Sequence, residues 1–193
     1  MALAEAVELL KSDAAVDTID LRGSDIGDDG IQSLASYLQF NGKVSTVNLS
    51  FNDIGDLGAC ALAGALMKNT TVMYIDLGNN RIGDKGAVAL AGALQTNRTV
   101  RSLGIADNSI GDYGVRALAG ALQSNSVSVA SIDLENNHIG NEGAHALVRG
   151  LQTERTSVKT ISLWGNSIGD ECVRGLAEAK VPISLTQRIG QAY

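Results

Sequence analysis

The sequence predicts an α/β fold, a right-handed β–α solenoid with a parallel sheet on its concave side and helices on its convex side. Three observations predict it. An apolar–polar–apolar phrase returns as Ile19-Asp20-Leu21, Val47-Asn48-Leu49, Ile75-Asp76-Leu77, Leu103-Gly104-Ile105, Ile132-Asp133-Leu134 and Ile161-Ser162-Leu163, at steps of 28, 28, 28, 29 and 29 residues. A fixed period of that length marks stacked repeats. Around each phrase apolar and polar residues alternate, as from Val44 to Ser50, which is the period of a half-buried strand. Further along each copy, apolar or small residues recur every fourth position, as at Gly58, Leu62 and Leu66, and so form one face of a helix. Strands stack about 4.8 Å apart and helix axes about 8–10 Å apart. The helical side is therefore the longer arc and the sheet lines the inside, with right-handed crossovers between parallel strands.

Residues 1–15 begin with Leu3, Val7 and Leu10 at helical spacing, which predicts a helix capping the first repeat. The segment has no basic start, and Glu5 and Glu8 interrupt it, so it does not read as a signal peptide. Residues 16–178 hold six repeats. In the second copy the strand is followed by Asn52 and Ile54, then Gly55-Asp56-Leu57-Gly58, then a helix to Leu66, then the polar turn Lys68-Asn69-Thr70-Thr71. Asn52, Asn80, Asn108, Asn137 and Asn166 form a column just past the strands. An amide side chain there can both donate to and accept from the backbone of a neighbouring turn. Asp28, Asp56, Asp84 and Asp112 precede the helices and are expected to cap them at their positive ends. The recurring Gly64-Ala65-Leu66, Gly92-Ala93-Leu94 and Gly120-Ala121-Leu122 are expected to let neighbouring helices approach closely. Residues 179–193 read as a shortened seventh strand and C-terminal cap, with Pro182 suited to a terminal edge.

The composition argues against several functions. No apolar run of about 18 residues exists, so no membrane-spanning helix is expected. The chain carries a net charge of −6 without a Lys/Arg cluster, which disfavours nucleic acid, whose affinity rests on neutralised phosphates. Cys60 and Cys172 lie four repeats apart, roughly 19 Å along the strands and more along the helices, too far for a disulfide. Two free thiols fit a reducing, cytoplasmic setting. Asn69-Thr70-Thr71 and Asn97-Arg98-Thr99 match a glycosylation pattern, but they occupy the same slot of adjacent repeats, so a duplicated polar turn explains both.

The stretch Val72-Met73-Tyr74-Ile75-Asp76-Leu77-Gly78-Asn79-Asn80 fits Leu-x-x-Leu-x-Leu-x-x-Asn, with Val in the first leucine slot. With the 28–29-residue helical period, it resembles the ribonuclease-inhibitor-like leucine-rich repeat family over residues 16–178. The resemblance implies a horseshoe that binds proteins. The same repeat occurs in sensor arms of NOD-like receptors, Ran GTPase-activating proteins, tropomodulin-like actin cappers and bacterial effectors, so it fixes the fold and not the partner.

No catalytic residue, cofactor or metal ligand is expected. His138 and His145 have no plausible cysteine partner, and the period of 28 does not suit the nine-residue repeat of calcium-binding β-rolls. Alternation instead exposes one strand face carrying four acidic residues and one basic one. The expected partner-binding residues on it are Asp20, Arg22, Asn48, Tyr74, Asp76, Asp133, Glu135 and Trp164, with Tyr74 and Trp164 as aromatic anchors. These positions are expected to be free of structural duties. The strand face alone offers on the order of 300–400 Å², short of the roughly 800 Å² per partner of a standard interface. A partner is therefore expected also to touch the loops at Arg81, Ser109, His138 and Ser167. The expected function is a monomeric, non-catalytic scaffold for a protein partner of basic character. The alternatives are a regulatory GTPase activator or actin-capping module, and a ligand-sensing fragment of a larger receptor.

Overall fold

The structure is a computed structural model, in which residues 1–12, 15–123, 128–151, 157–178 and 183–184 are described. Helix α1 (Leu3–Lys11) leads into strictly alternating strands and helices: β1 (Thr18–Asp20), α2 (Gly27–Leu38), β2 (Thr46–Asn48), α3 (Asp56–Leu66), β3 (Tyr74–Asp76), α4 (Asp84–Thr96), β4 (Ser102–Gly104), α5 (Asp112–Leu122), β5 (Ser131–Asp133), α6 (Asn141–Leu151), β6 (Thr160–Ser162), α7 (Asp170–Glu178) and β7 (Ile183–Ser184). The strands form one parallel sheet in chain order. Register is kept across it, with Ile19, Val47, Ile75, Leu103, Ile132 and Ile161 side by side. Of the expected C-terminal cap, only Ile183 and Ser184 are described; Pro182 and the rest of 179–193 lie outside the described residues.

The central residue of each of these six strands points into a continuous apolar seam, joined from the turns by Ile26, Ile54, Ile82, Ile110 and Ile139 and from the helices by Leu62, Leu90, Leu118 and Leu147. Each unit buries its apolar face only against its neighbours, so burial runs along the stack. Helix α7 is set apart: Ala144, Cys172 and Leu176 form a small separate cluster beneath it.

The seam closes over turns whose backbone groups need partners. The asparagine column supplies them. Asn80 Oδ1 accepts the N–H groups of Asn52 (3.1 Å) and Ile54 (2.9 Å), while its Nδ2 donates to Leu49 O (3.1 Å) of the preceding repeat and Leu77 O (2.9 Å) of its own. Asn52, Asn108, Asn137 and Asn166 likewise donate one repeat back, to Leu21, Leu77, Ile105 and Leu134. A second ladder, absent from the sequence expectations, runs along the opposite end. Asn97 Nδ2 donates to Leu66 O (2.8 Å) and Asn69 O (3.0 Å), and Asn69 Nδ2 donates to Leu38 O (2.7 Å). Both are buried, so the two glycosylation patterns mark amides occupied in holding helix-terminal carbonyls.

Two expectations need correction. The aspartates do not cap their own helices: each lies in the first turn of its helix and its Oδ1 reaches the next repeat. Asp28, Asp56, Asp84 and Asp112 each accept two N–H groups there, from Gly55 and Gly58, Gly83 and Gly86, Gly111 and Gly114, and Gly140 and Gly143, at 2.7–2.9 Å. The glycines of Gly-Ala-Leu are not packing devices either. A Cβ added at Gly64 or Gly120 would meet nothing within 4 Å. Close approach occurs instead at Gly58, where a Cβ would stand 2.6 Å from Asp28 Oδ1 and 2.8 Å from Ile54 Cγ2.

Candidate functional site

The outward strand residues form two rows. One runs Thr18, Thr46, Tyr74, Ser102, Ser131, Thr160, and the other Asp20, Asn48, Asp76, Gly104, Asp133, Ser162. Gly104 has no side chain, and a Cβ there would lie 3.0 Å from Asp76 Oδ1. The result is a shallow depression of about 360 Å³, walled by Tyr74 and Asn48 and flanked by Asp76 and Asp133 on the strands either side of Gly104. Tyr74 is 49% exposed.

The aspartates and the asparagine of the second row are not free of structural duties, contrary to expectation. Asp20 Oδ1 accepts the N–H of Arg22 (3.1 Å), Asp76 Oδ1 that of Gly78 (2.9 Å), and Asp133 Oδ1 that of Glu135 (3.1 Å). Asn48 Oδ1 does the same for Ser50 N–H (3.1 Å). Each thus closes the turn after its strand, a local bond that short Asp and Asn side chains make readily. An amide performs this as well as a carboxylate. The negative charge at Asp20, Asp76 and Asp133 is therefore not required by the turn.

The expected site residues fall into three groups. Asn48, Tyr74, Asp76 and Asp133 surround the central depression. Asp20 and Arg22 lie at the β1 end of the sheet. Glu135 and Trp164 follow β5 and β6, and both are half-buried; Trp164 O accepts the N–H of Asn136 (2.8 Å). Among the loop residues, Arg81 is paired with Asp53 of the adjacent turn.

The expectations missed Phe51. It is 48% exposed and its ring lies under the Arg22 guanidinium, with Arg22 Cζ 4.8 Å from the ring centroid. Its backbone is left-handed, φ +60°. Gly23, Asn79, Asp107, Asn136 and Gly165 occupy the same slot with φ between +51° and +75°. Those five are residue types that enter this region at low cost, and phenylalanine is not. The breach of the column is the sequence signal that would have found it. Across the rest of this rim, Asn136 Nδ2 donates to Asp107 Oδ1 (3.0 Å) and Asn79 Nδ2 to Asp107 Oδ2 (3.4 Å).

Among the described residues no group of three or more His, Cys, Asp or Glu is arranged to hold a metal ion, and no helix is long and apolar enough to cross a membrane. Cys60 is exposed; Cys172 is buried, and burial pushes its thiol pKa up.

Comparison with known proteins places this geometry. Solved structures that share the fold include the two that follow. The actin-binding site 2 of leiomodin-1 aligns with a TM-score of 0.62 and 22% identity, covering 80% of this chain and 92% of that one. The C-terminal domain of Caenorhabditis elegans tropomodulin aligns with a TM-score of 0.65 and 11% identity, covering 79% and 92%. At such identities the likeness is one of fold alone. No curated protein matches the sequence. The leucine-rich repeat family profile matches residues 17–35, 41–63, 68–91, 96–119 and 126–148, more than half of the chain, each match spanning a strand or the turn before it and part of the helix that follows. The chain belongs to the leucine-rich repeat family.

Proposed function

We propose that this chain is a non-catalytic scaffold that holds a protein partner of basic character on its concave strand face. The observation that carries the reading is the central depression: an exposed tyrosine beside a glycine notch, with a carboxylate on the strand at each side. Tyr74 and Trp164 serve as anchors. Asp20, Asp76, Asp133 and Glu135 steer a cationic surface inward, and Asn48 and Arg22 fix its register. Phe51 widens the contact toward β1, which the small strand face requires. The repeat length, with a full helix in each unit, supports the ribonuclease-inhibitor-like subtype. Residues 1–15 then act as N-terminal cap, 16–178 as the six repeats and 179–193 as the C-terminal cap of a monomeric, cytoplasmic protein.

The test is affinity capture from a cell lysate with three forms of the full chain: unchanged, Tyr74→Ala/Asp76→Asn/Asp133→Asn, and Val88→Glu on the helical face. The asparagines keep the turn bonds, so loss of binding reports on the tyrosine anchor and the two charges and not on unfolding. A partner retained by Val88→Glu and lost by the triple variant supports the concave site. The opposite pattern rejects it.

A second reading takes actin as the partner, favoured by the likeness in fold to the actin-binding site of leiomodin-1. Cosedimentation with actin filaments, and the rate of filament assembly with the chain present, decide it directly.

A further inference from the structure

We propose that a second docking surface lies at the end of the stack where helices run into strands, around Phe40 and the groove between α2 and α3, and that it takes an acidic segment of a protein partner bearing an apolar side chain. This surface is separate from the concave face and does not depend on the function proposed for it.

Charge is the first argument. Segments 39–45, 67–73 and 95–101 carry four basic residues, Lys43, Lys68, Arg98 and Arg101, and no acidic one, in a chain of net charge −6. The opposite end is the more acidic: 23–29, 51–57 and 79–85 carry Asp25, Asp28, Asp29, Asp53, Asp56 and Asp84 against Arg81 and Lys85. Three of these four cations are not cancelled locally. Lys68 Nζ donates to the neutral Gln39 Oε1 (3.0 Å), Arg98 to Gln95 O (2.9 Å) and Arg101 to Ser128 O (3.1 Å). Among the described residues none of these three pairs with a carboxylate. An acidic partner is attracted here although the whole molecule would repel it.

Shape is the second. Phe40 is 78% exposed, more than any other large hydrophobic side chain described. It borders a cavity of about 310 Å³ that also touches Leu10 and Lys43. Lys68 Nζ stands 6.0 Å above its ring and also lines a groove of about 460 Å³ between α2 and α3, with Gly64 and Met67. Gly64 keeps that groove open, since a Cβ there would meet nothing. Basic groups near helix C-termini are favoured by the helix dipole alone. That effect accounts for the lysines but not for a phenylalanine exposed between two open cavities.

The experiment measures fluorescence anisotropy of the full chain with a labelled Asp/Glu-rich peptide containing two leucines, and with the same peptide carrying serines for the acids. Vesicles of phosphatidylserine and phosphatidylcholine and the concentration dependence of sedimentation are measured in parallel. The acidic peptide is expected to bind at least about tenfold more tightly than the neutral one, and Phe40→Ala, Lys68→Glu and Gly64→Leu each to weaken it about five- to tenfold. At Gly64 the Cβ of a leucine would enter open space and leucine favours the helix, so circular dichroism and the melting temperature of Gly64→Leu should match those of the unchanged chain. Asp76→Asn on the concave face should change nothing. No binding of the acidic peptide, binding untouched by Phe40→Ala and Gly64→Leu, binding to vesicles alone, or self-association lost in these variants would each overturn the proposal.

Discussion

Asp28 and Gly58 belong to different repeats, yet Asp28 Oδ1 accepts the Gly58 N–H at 2.8 Å and leaves no room there for a side chain. The same oxygen accepts Gly55 N–H, so one carboxylate holds two of the donors that a helix leaves unsatisfied at its start. The bond recurs up the stack and couples each helix to the one before it. It changes in the last repeat, where Asn141 replaces the aspartate and Cys172 the glycine. There Asn141 Oδ1 accepts Gly169 N–H (2.8 Å).

Asp84→Ala should therefore destabilise the stack by about 1–3 kcal/mol, by orphaning the N–H groups of Gly111 and Gly114. Asp84→Asn keeps the acceptor and loses only the attraction of charge to the helix start, about 0.3–1 kcal/mol. Urea melts of the two variants check this ranking. Equal losses would mean that charge, not hydrogen bonding, joins the repeats.

Leu62, Leu90 and Leu118 occupy equivalent buried slots, and each change to alanine should cost about 2–5 kcal/mol. Solenoid stability is a sum over units and their interfaces, so position matters as well as size. Leu90→Ala, at the centre, should split unfolding into two transitions more readily than a change at either end. Melts followed by circular dichroism and by Trp164 fluorescence should then separate.

These bonds show what a linear reading reaches. The strand phrase and helix face were legible because side-chain alternation and fourfold spacing are local, and they predicted the solenoid that the structure has. The reach of Asp28 to Gly58 was not, because a bond across 30 residues leaves no local trace and its residue types equally suit an ordinary cap. Asp76 and Asp133 look like free surface charge until their turn bonds are seen. Asn69 and Asn97 sit in a glycosylation pattern whose accessibility only the fold decides.

The two cysteines should behave differently. Cys60 is exposed on α3 and should alkylate at once, whereas Cys172 is 4% exposed and its thiol is held protonated by burial. The unfolded thiol loses its proton at lower pH than the folded one. The contribution of Cys172 to stability is therefore complete below the ordinary thiol range and declines as pH rises through it. Mass spectrometry after iodoacetamide treatment should find one fast label at Cys60 and a second only in urea or at raised pH. Equal rates would show that α7 opens freely, and a Cys60–Cys172 disulfide would contradict the repeat geometry.

Phe51 sets the backbone's preference against the side chain's use. A left-handed conformation costs a residue with a Cβ roughly 1–2 kcal/mol, and an exposed cation–π contact with Arg22 returns about 0.5–1 kcal/mol. Phe51→Gly removes both terms, and Phe51→Ala removes only the favourable one. The glycine variant should thus equal or exceed the unchanged chain in stability, and the alanine variant should fall about 1–2 kcal/mol below the glycine variant. Asparagine, which stands in this slot at Asn79 and Asn136, should lie close to glycine. Thermal melts of the three variants give the order directly, and an alanine variant as stable as the glycine one would show that the turn carries no strain. If the order holds, the chain keeps an aromatic residue where a smaller one would fold at least as well. In that case the concave-face partner should lose affinity with Phe51→Gly even as the protein melts no lower.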